Sequence, residues 1–458
     1  MVPMKKLIIS IVLLVSAGAT GIFAQQANQY DPWIWVSEPP KDCPFEQSTE
    51  FVGVAFTSNY RHYKLKTRGT WGDTWYPSWA ANDTLYSSWT DGQLDRLDGS
   101  LDYSQSGWVN YDKETVYKAV PKQPLQATTG QAVMVGNNPL DLHIYSMGTQ
   151  NGDPAPYQGR YPSGSLVHNG IWYYGTYCLA PEATTNIGGI DYNWPWLGPL
   201  VGYRISKDYG ITWEDTPHTP KNPLFGETGM WGYPVKMGAP HFVDFGKNME
   251  HSPDGKAYLV GMGAEVNDPM PRPANLSWIS GDQIYMCRVT PSVENINDRS
   301  KYEFFGGHDK NGNPIWTNDF TEIKPLLEWN NNMGCVTMTY NAPLKKYLLT
   351  ITDGWPTAAK MDSYILESDN ITGPWKLVTY LKDFGEQAYF LNFPTKFISN
   401  DGKKFWLCYS GNFAQGWNNL IIKSNPPGSG YGLVMQEMIL LDKESYKKYR
   451  NNPTPVTH

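Results

Sequence analysis

The sequence predicts an all-β chain folded as a single β-propeller, with five blades. Three observations carry that reading. First, 19 Trp, 30 Tyr and 16 Phe accompany 43 Gly and 35 Pro, while only 18% of residues are charged; strand-favouring side chains among many turn formers suit short strands joined by ordered loops. Second, helical periodicity is hard to find. Third, one pattern recurs: a Gly- or Pro-containing turn, an apolar strand, a polar turn, a second strand rich in aromatics, and later a strand carrying Ser or Asp beside a Gly-x-x-Trp turn.

The first copy is WGDTWYPSWAANDTLYSSWTDG, Trp71 to Gly92, with Asn82-Asp83 as its turn. The second, YPSGSLVHNGIWYYGTYCL from Tyr161, turns at Asn169-Gly170, a pair suited to a two-residue hairpin loop, and continues from Leu200 through YRISKDYGITWED. The third runs from Met237 as MGAPHFVDFG, through SPDGKAYLVGMGAE to Glu265, and closes with DQIYMCRV. The fourth spans Asn332 to Gly354 and is followed by YILESDNITGPWKLV; the fifth spans Leu391 to Asn412 and is followed by NLIIKS. Each copy supplies about four strands, the content of one propeller blade. The spacing is irregular, so a propeller of six or seven blades and a pair of β-sandwiches remain as alternatives. The segment from Asp98 to Gln131 and the tail after Gly428 could hold a further blade or complete the ring. No linker or low-complexity tract divides the chain.

Lys5 and Lys6 precede an apolar run from Leu7 to Ala24 that ends in small residues before Gln25. This pattern predicts a signal peptide over residues 1–24, with 25–458 as the propeller catalytic domain, periplasmic or secreted. Removing a segment with two lysines and no acids takes the net charge from −7 to −9. Such a surface argues against nucleic acid and, once the signal is gone, against a membrane as partner; a monomer is expected. The five cysteines are scattered without a C-x-x-C pair, which argues against zinc and allows at most one or two disulfides. No cofactor is required by these features. A structural Ca²⁺ would suit an oxygen-rich centre, although no loop has calcium-ligand spacing.

Inner strands of a propeller surround its channel, so residues beginning those strands converge. Aligning the copies places Asp73, Ser163, Pro240, Gly334 and Phe393 at those starts, and Asp91, Tyr177, Glu265, Asp353 and Asn412 at the ends of the second strands. Glycoside hydrolysis needs one protonated carboxyl and one ionised carboxylate, and clustered acids hold one of their number protonated. Asp73, Asp91 and Glu265 are the candidate catalytic residues. Trp75, Tyr161, Tyr177, His241, Asp353, Asn392 and Asn412 are candidates for substrate binding, with Trp71, Trp89, Trp231 and Trp355 as further stacking surfaces, because Trp and Tyr match both the apolar face and the polar rim of a sugar. No metal ligand set is assigned. Asp91-Gly92 and Asp353-Gly354 read equally as ordinary turns, and most of the aromatics read as core.

The octapeptide SKDYGITW, Ser206 to Trp213, resembles the Asp-box of sialidases and related propellers, a fold marker in which Asp208 and Thr212 tie a hairpin. The five-copy layout with its GPWK turn is similar to glycoside hydrolase family 43, a resemblance that implies three acids from different blades and favours Asp73 with Glu265. The segment GDTWYPSWAANDTLYSSWTDG more sharply resembles the bacterial family catalogued as domain of unknown function 4185, associated with arabinofuranose-cleaving enzymes; that resemblance implies Asp73 and Asp91.

The reading is an exported glycoside hydrolase acting on a poly- or oligosaccharide, with arabinofuranosyl linkages suggested by resemblance. Two alternatives stand beside it: a lyase for uronic acid glycans, disfavoured by the scarcity of basic residues at inner-strand positions, and a non-catalytic glycan-binding propeller.

Overall fold

The computed structural model describes residues 31–63, 70–107, 109–111, 119–121, 127–187, 190–229, 235–264, 277–354, 360–411 and 426–452. Five antiparallel sheets form a five-bladed β-propeller. Blade 1 starts with the short strands Trp71–Asp73 and Ser78–Trp79 and continues through Leu85–Asp95, Ala127–Val135 and His143–Gly152. Blade 2 comprises Gly159–His168, Ile171–Ile187 and Ile190–Ser206, and blade 3 begins with Gly238–Phe242, Ala257–Gly263 and Gln283–Val289. Blade 4 contains Val336–Asn341, Lys346–Asp353, Asp362–Ser368 and Lys376–Leu381.

Blade 5 closes the ring. Its first strands, Tyr389–Asn392 and Lys404–Ser410, pair outward to Val434–Leu441, which pairs with Gly53–His62 and, through it, Trp33–Ile34. Residues from the two ends of the chain thus share one sheet. The tail after Gly428 completes the ring, and the tract after Asp98 leads into blade 1's third strand, so neither adds a sixth blade. The NLIIKS segment, expected to be an outer strand of the fifth copy, lies outside the described residues, as do residues 1–24.

The local chemistry explains the hairpins. Asn169 and Gly170 adopt φ of 52° and 81°, the left-handed pair of a tight hairpin turn. In the Asp-box, Asp208 accepts hydrogen bonds from the Thr212 amide at 2.8 Å, the Thr212 hydroxyl at 2.6 Å and the Ser206 hydroxyl at 2.7 Å. The Trp213 ring then packs against Trp172 at 5.2 Å.

Adjacent blades are joined by apolar side chains. Tyr86 and Val133 of blade 1 meet Val167, Trp172 and Tyr174 of blade 2; Leu348 and Ile365 of blade 4 meet Phe405 and Leu407 of blade 5. Between blades 5 and 1, Trp406 and Met435 pack with Trp75 and Trp89. Most of the aromatic content is spent here, and truncating one such ring to Ala costs about 3–5 kcal/mol. All five cysteines are free, four of them buried among these layers.

The Asp-Gly turn expected at 91 and 92 is not a turn. Both residues lie inside the strand Leu85–Asp95, beside a register break between Trp71 and Asp73. Asp91 has φ of 52°, and a Cβ on Gly92 would come within 1.7 Å of the Trp71 carbonyl oxygen. The pair is therefore a bulge that only glycine permits at its second position. Asp353 likewise ends a strand, opposite Asp362, and the Gly354 amide bonds the Ile279 carbonyl at 2.8 Å.

Candidate active site

The inner strands do not run smoothly along the channel. Their pairing breaks between Pro162 and Ser165, Gly238 and His241, and Tyr389 and Asn392, and Thr74, Ala239 and Phe390 take positive φ. Each bulge re-aims neighbouring side chains. At the end where these strands begin, the result is a cluster of acids and phenols contributed by blades 1, 2 and 5.

Asp73, at the end of Trp71–Asp73, is 9% exposed, and Asp91 is 6% exposed. The Tyr389 hydroxyl donates to Asp73 Oδ2 at 2.7 Å. Tyr431 donates mainly to the Asp91 carbonyl at 2.7 Å and lies 3.3 Å from the same Asp73 oxygen. Asp73 Oδ1 is buried and has no hydrogen-bond partner among the described residues. Burial, and after it the charge of Asp91, hold the Asp73 carboxyl well above the usual carboxylate range; the two phenols pull the other way without offsetting them. Asp91 is served differently. The Ser106 amide donates to its Oδ1 and the Ser106 hydroxyl to its Oδ2, both at 2.8 Å, so two donors support negative charge there.

Blade 2 adds Tyr161 and Tyr177, which face each other across its first two strands with ring centroids 5.6 Å apart. Tyr161 keeps part of its ring exposed and bonds Ser106, linking Asp91 through the serine to the surface. Burial, then Asp91 and Asp73, push its phenol well up. Tyr177 is fully buried, and its hydroxyl has no hydrogen-bond partner among the described residues.

The other predicted residues separate from this cluster. Trp75 is 1% exposed in the layer between blades 5 and 1, with its indole N–H on the Gly72 carbonyl at 2.9 Å, so it offers no stacking face. Trp89 is buried in the same layer, whereas Trp71 is partly exposed and 5.2 Å from the Tyr431 ring. Asn392 spends its amide on the Trp75 and Phe390 carbonyls, each at 2.9 Å. Asp353 influences Tyr364 and Tyr380, its blade 4 neighbours. His241 packs 4.0 Å from the Tyr76 ring, and burial lowers its pKa to about 3, so it is neutral. It lines a small cleft with Asp244, Thr337 and Asn392. Glu265, Asn412, Trp231 and Trp355 lie outside the described residues.

Tyr76, Ser106, Tyr389 and Tyr431 belong to this end of the channel and are absent from the sequence-derived set. Tyr389 sits four positions before Phe393, the residue aligned as the start of the fifth inner strand. The other four repeats carry Gly69, Gly159, Lys236 and Asn330 at that offset, so no recurring aromatic signalled it. Ser106 and Tyr431 lie outside every repeat and carried no signal.

No family model matches the chain, and no curated protein matches it. Among solved structures, the chain is similar to a glycoside hydrolase family 43 enzyme from Xanthomonas citri, at 10% identity and TM-score 0.42, over 80% of this chain and 87% of that one. It is also similar to a family 117 glycoside hydrolase from Zobellia galactanivorans, at 11% identity and TM-score 0.44, over 87% and 95% of the two chains. A third is an α-L-arabinofuranosidase from Podospora anserina in complex with cellotriose, at 11% identity and TM-score 0.38, over 89% and 97%.

Proposed function

We propose that the chain is an exported glycoside hydrolase whose chemistry is centred on Asp73 and Asp91. The observation that carries this reading is the unequal treatment of two neighbouring buried acids. Asp73 is desolvated, pressed by a like charge and left with one oxygen unpaired, while Asp91 receives two donors from Ser106. That division matches the two tasks of glycoside hydrolysis. Asp73, holding its proton, delivers it to the departing glycosidic oxygen as the bond to the anomeric carbon breaks. Asp91, holding charge, faces the positive character that develops at that carbon, either directly or by taking a proton from the attacking water. Tyr161 sits between these groups and solvent, where an aromatic face suits a sugar ring.

The substrate we infer is a neutral poly- or oligosaccharide, with arabinofuranosyl linkages first on the list to be tried because of the Gly72 to Gly92 resemblance. The decisive experiment incubates the purified chain and its Asp73→Asn and Asp91→Asn variants with plant, algal and bacterial polysaccharides and analyses the products. Cleavage by the parent, with a loss of at least about 10³-fold in both folded variants, is the expected result. An unsaturated product absorbing in the ultraviolet would move the chain to the lyases, and full activity in Asp73→Asn would remove that residue from the mechanism.

A further inference from the structure

Tyr431 touches both acids: its hydroxyl donates to the Asp91 carbonyl at 2.7 Å and lies 3.3 Å from Asp73 Oδ2. It lies outside any strand or helix, in the segment GSGYG from Gly428 to Gly432, where φ is 85° at Gly428 and 113° at Gly432. A backbone so rich in glycine has many conformations open to it, and contacts must impose the native one. On either side of Tyr431 they are plain. The Gly411 amide bonds the Gly430 carbonyl at 3.0 Å, the Tyr409 and Ser429 hydroxyls meet at 2.7 Å, and the Tyr63 amide bonds the Leu433 carbonyl at 2.9 Å. The carbonyl of Tyr431 itself bonds a side chain, Nε2 of His62, at 2.7 Å. A carbonyl oxygen only accepts, so Nε2 carries the proton and donates.

His62 ends the strand Gly53–His62, where its backbone pairs with Val434. Its ring is also seated on the glycines of the segment. A Cβ on Gly430 would fall 2.5 Å from His62 Cε1, and one on Gly432 would fall 3.3 Å from Nε2 and 2.3 Å from the Thr70 carbonyl oxygen. Two independent features, a hydrogen bond and an approach that only glycine permits, thus bring one half-buried imidazole onto the peptide that carries the Tyr431 phenol. We propose that His62 is a positioning residue: by holding the Tyr431 carbonyl it fixes the phenol between Asp91 and Asp73, and it acts on the chemistry through that phenol. The inference rests on the glycosidase reading and adds to it a residue outside the cluster of acids. The phenol favours the ionised form of Asp73 and bonds the backbone of Asp91, so a small displacement of the Tyr431 peptide alters both acids together.

The test compares His62→Gln with His62→Met, side chains of equal length of which only Gln carries an N–H donor; His62→Leu stands in if His62→Met does not fold. Each change is made in the parent and in Tyr431→Phe. On a glycan that the parent cleaves, kcat and KM are measured at a temperature where circular dichroism shows every variant folded. The expected result is that His62→Met lowers kcat at least about tenfold with KM within about twofold, while His62→Gln stays within about threefold of the parent. Neither change lowers kcat further in Tyr431→Phe, because residues that act through one another are not additive. Carbon NMR of the Asp73 carboxyl gives a readout free of turnover: its titration moves upward in His62→Met and in Tyr431→Phe, and stays near the parent's in His62→Gln. Equal losses in His62→Met and His62→Gln, an unchanged kcat in His62→Met, or losses that add in the double variants overturn the assignment and leave the hydrolase reading standing. A parent that cleaves no glycan removes the hydrolase reading instead. The Asp73 titration then decides alone, supporting the positioning of Tyr431 by His62 if it moves in His62→Met and not in His62→Gln, and overturning it otherwise.

Discussion

The Tyr389 hydroxyl, carried by the first strand of blade 5, donates at 2.7 Å to the Oδ2 of Asp73 at the end of blade 1's first strand. One hydrogen bond thus spans the seam between two blades and also sets the proton affinity of the central acid. The phenol favours the ionised carboxylate, against the larger effects of burial and of Asp91. Structure and chemistry meet in the same contact.

Tyr389→Phe should therefore raise the pKa of Asp73 further. A hydrogen bond to a charged group contributes roughly 1.5–3 kcal/mol, equivalent to about one to two pH units. If Asp73 is the proton donor, the basic limb of the kcat/KM profile moves up by about that amount and the acidic limb stays in place. Movement of the acidic limb instead would show that Asp73 works as the base.

Asp73→Asn should stabilise the fold near neutral pH while removing activity. The folded carboxyl has a pKa above the unfolded value of about 3.9, so between those two values the native state binds more protons than the unfolded chain. Stability falls as pH rises through that window, and the full penalty is present above it. An amide cannot ionise, so the variant escapes this cost: its stability advantage over the parent is larger at pH 8 and disappears towards pH 4. Urea unfolding at the two pH values measures this; equal differences at both would contradict the buried, proton-retaining Asp73.

Gly92→Ala should impair activity by moving Asp91. A methyl group at 92 would sit 1.7 Å from the Trp71 carbonyl oxygen, and neither backbone can yield without opening the bulge that aims Asp91 at Ser106. We expect a stability loss of about 2–4 kcal/mol together with a fall in kcat of at least about tenfold. The companion variant Ser106→Ala keeps the bulge but removes one donor from Asp91 and the partner of Tyr161. It should lower kcat with little change in melting temperature, and kcat unchanged in Ser106→Ala would dissociate Asp91 from the chemistry.

The ring of blades was legible because its signals are local. Asn169-Gly170 announces a hairpin, and the Asp-box from Ser206 to Trp213 ties its own backbone, so both could be read without knowing what packs around them. Asp73 and Asp91 were legible because they interrupt an aromatic strand pattern within one repeat. Trp75 misled for the opposite reason: an aromatic beside an acid reads as a sugar platform, but here the side chain turns into the layer between blades. Tyr389 and Tyr431 reach Asp73 from more than 300 positions away, and no periodicity encodes which residues a closed ring brings together.

Closure of the ring runs through one largely buried strand. Val434–Leu441 is the only described strand that bonds both Lys404–Ser410 and Gly53–His62, pairing Gly53 with Leu441 and His62 with Val434 across a register shift between Phe56 and Tyr60. Gln436 adds side-chain bonds to the Thr57 carbonyl at 2.8 Å and the Asn59 carbonyl at 3.3 Å. Because blades hold one another by side-to-side packing, a gap in the ring exposes two apolar faces at once, that of blade 4 with Leu348 and Ile365 and that of blade 1 with Trp75 and Trp89. A chain ending at residue 432 should therefore lose cooperative unfolding altogether, although it keeps Asp73, Asp91, Tyr389 and Tyr431. A synthetic peptide spanning residues 433–452, added to that truncated chain, should restore both the thermal transition and part of the activity by supplying the missing central strand. Circular dichroism and glycan cleavage read the two effects; a truncated chain that melts like the parent would show that the seam contributes little to holding the ring together.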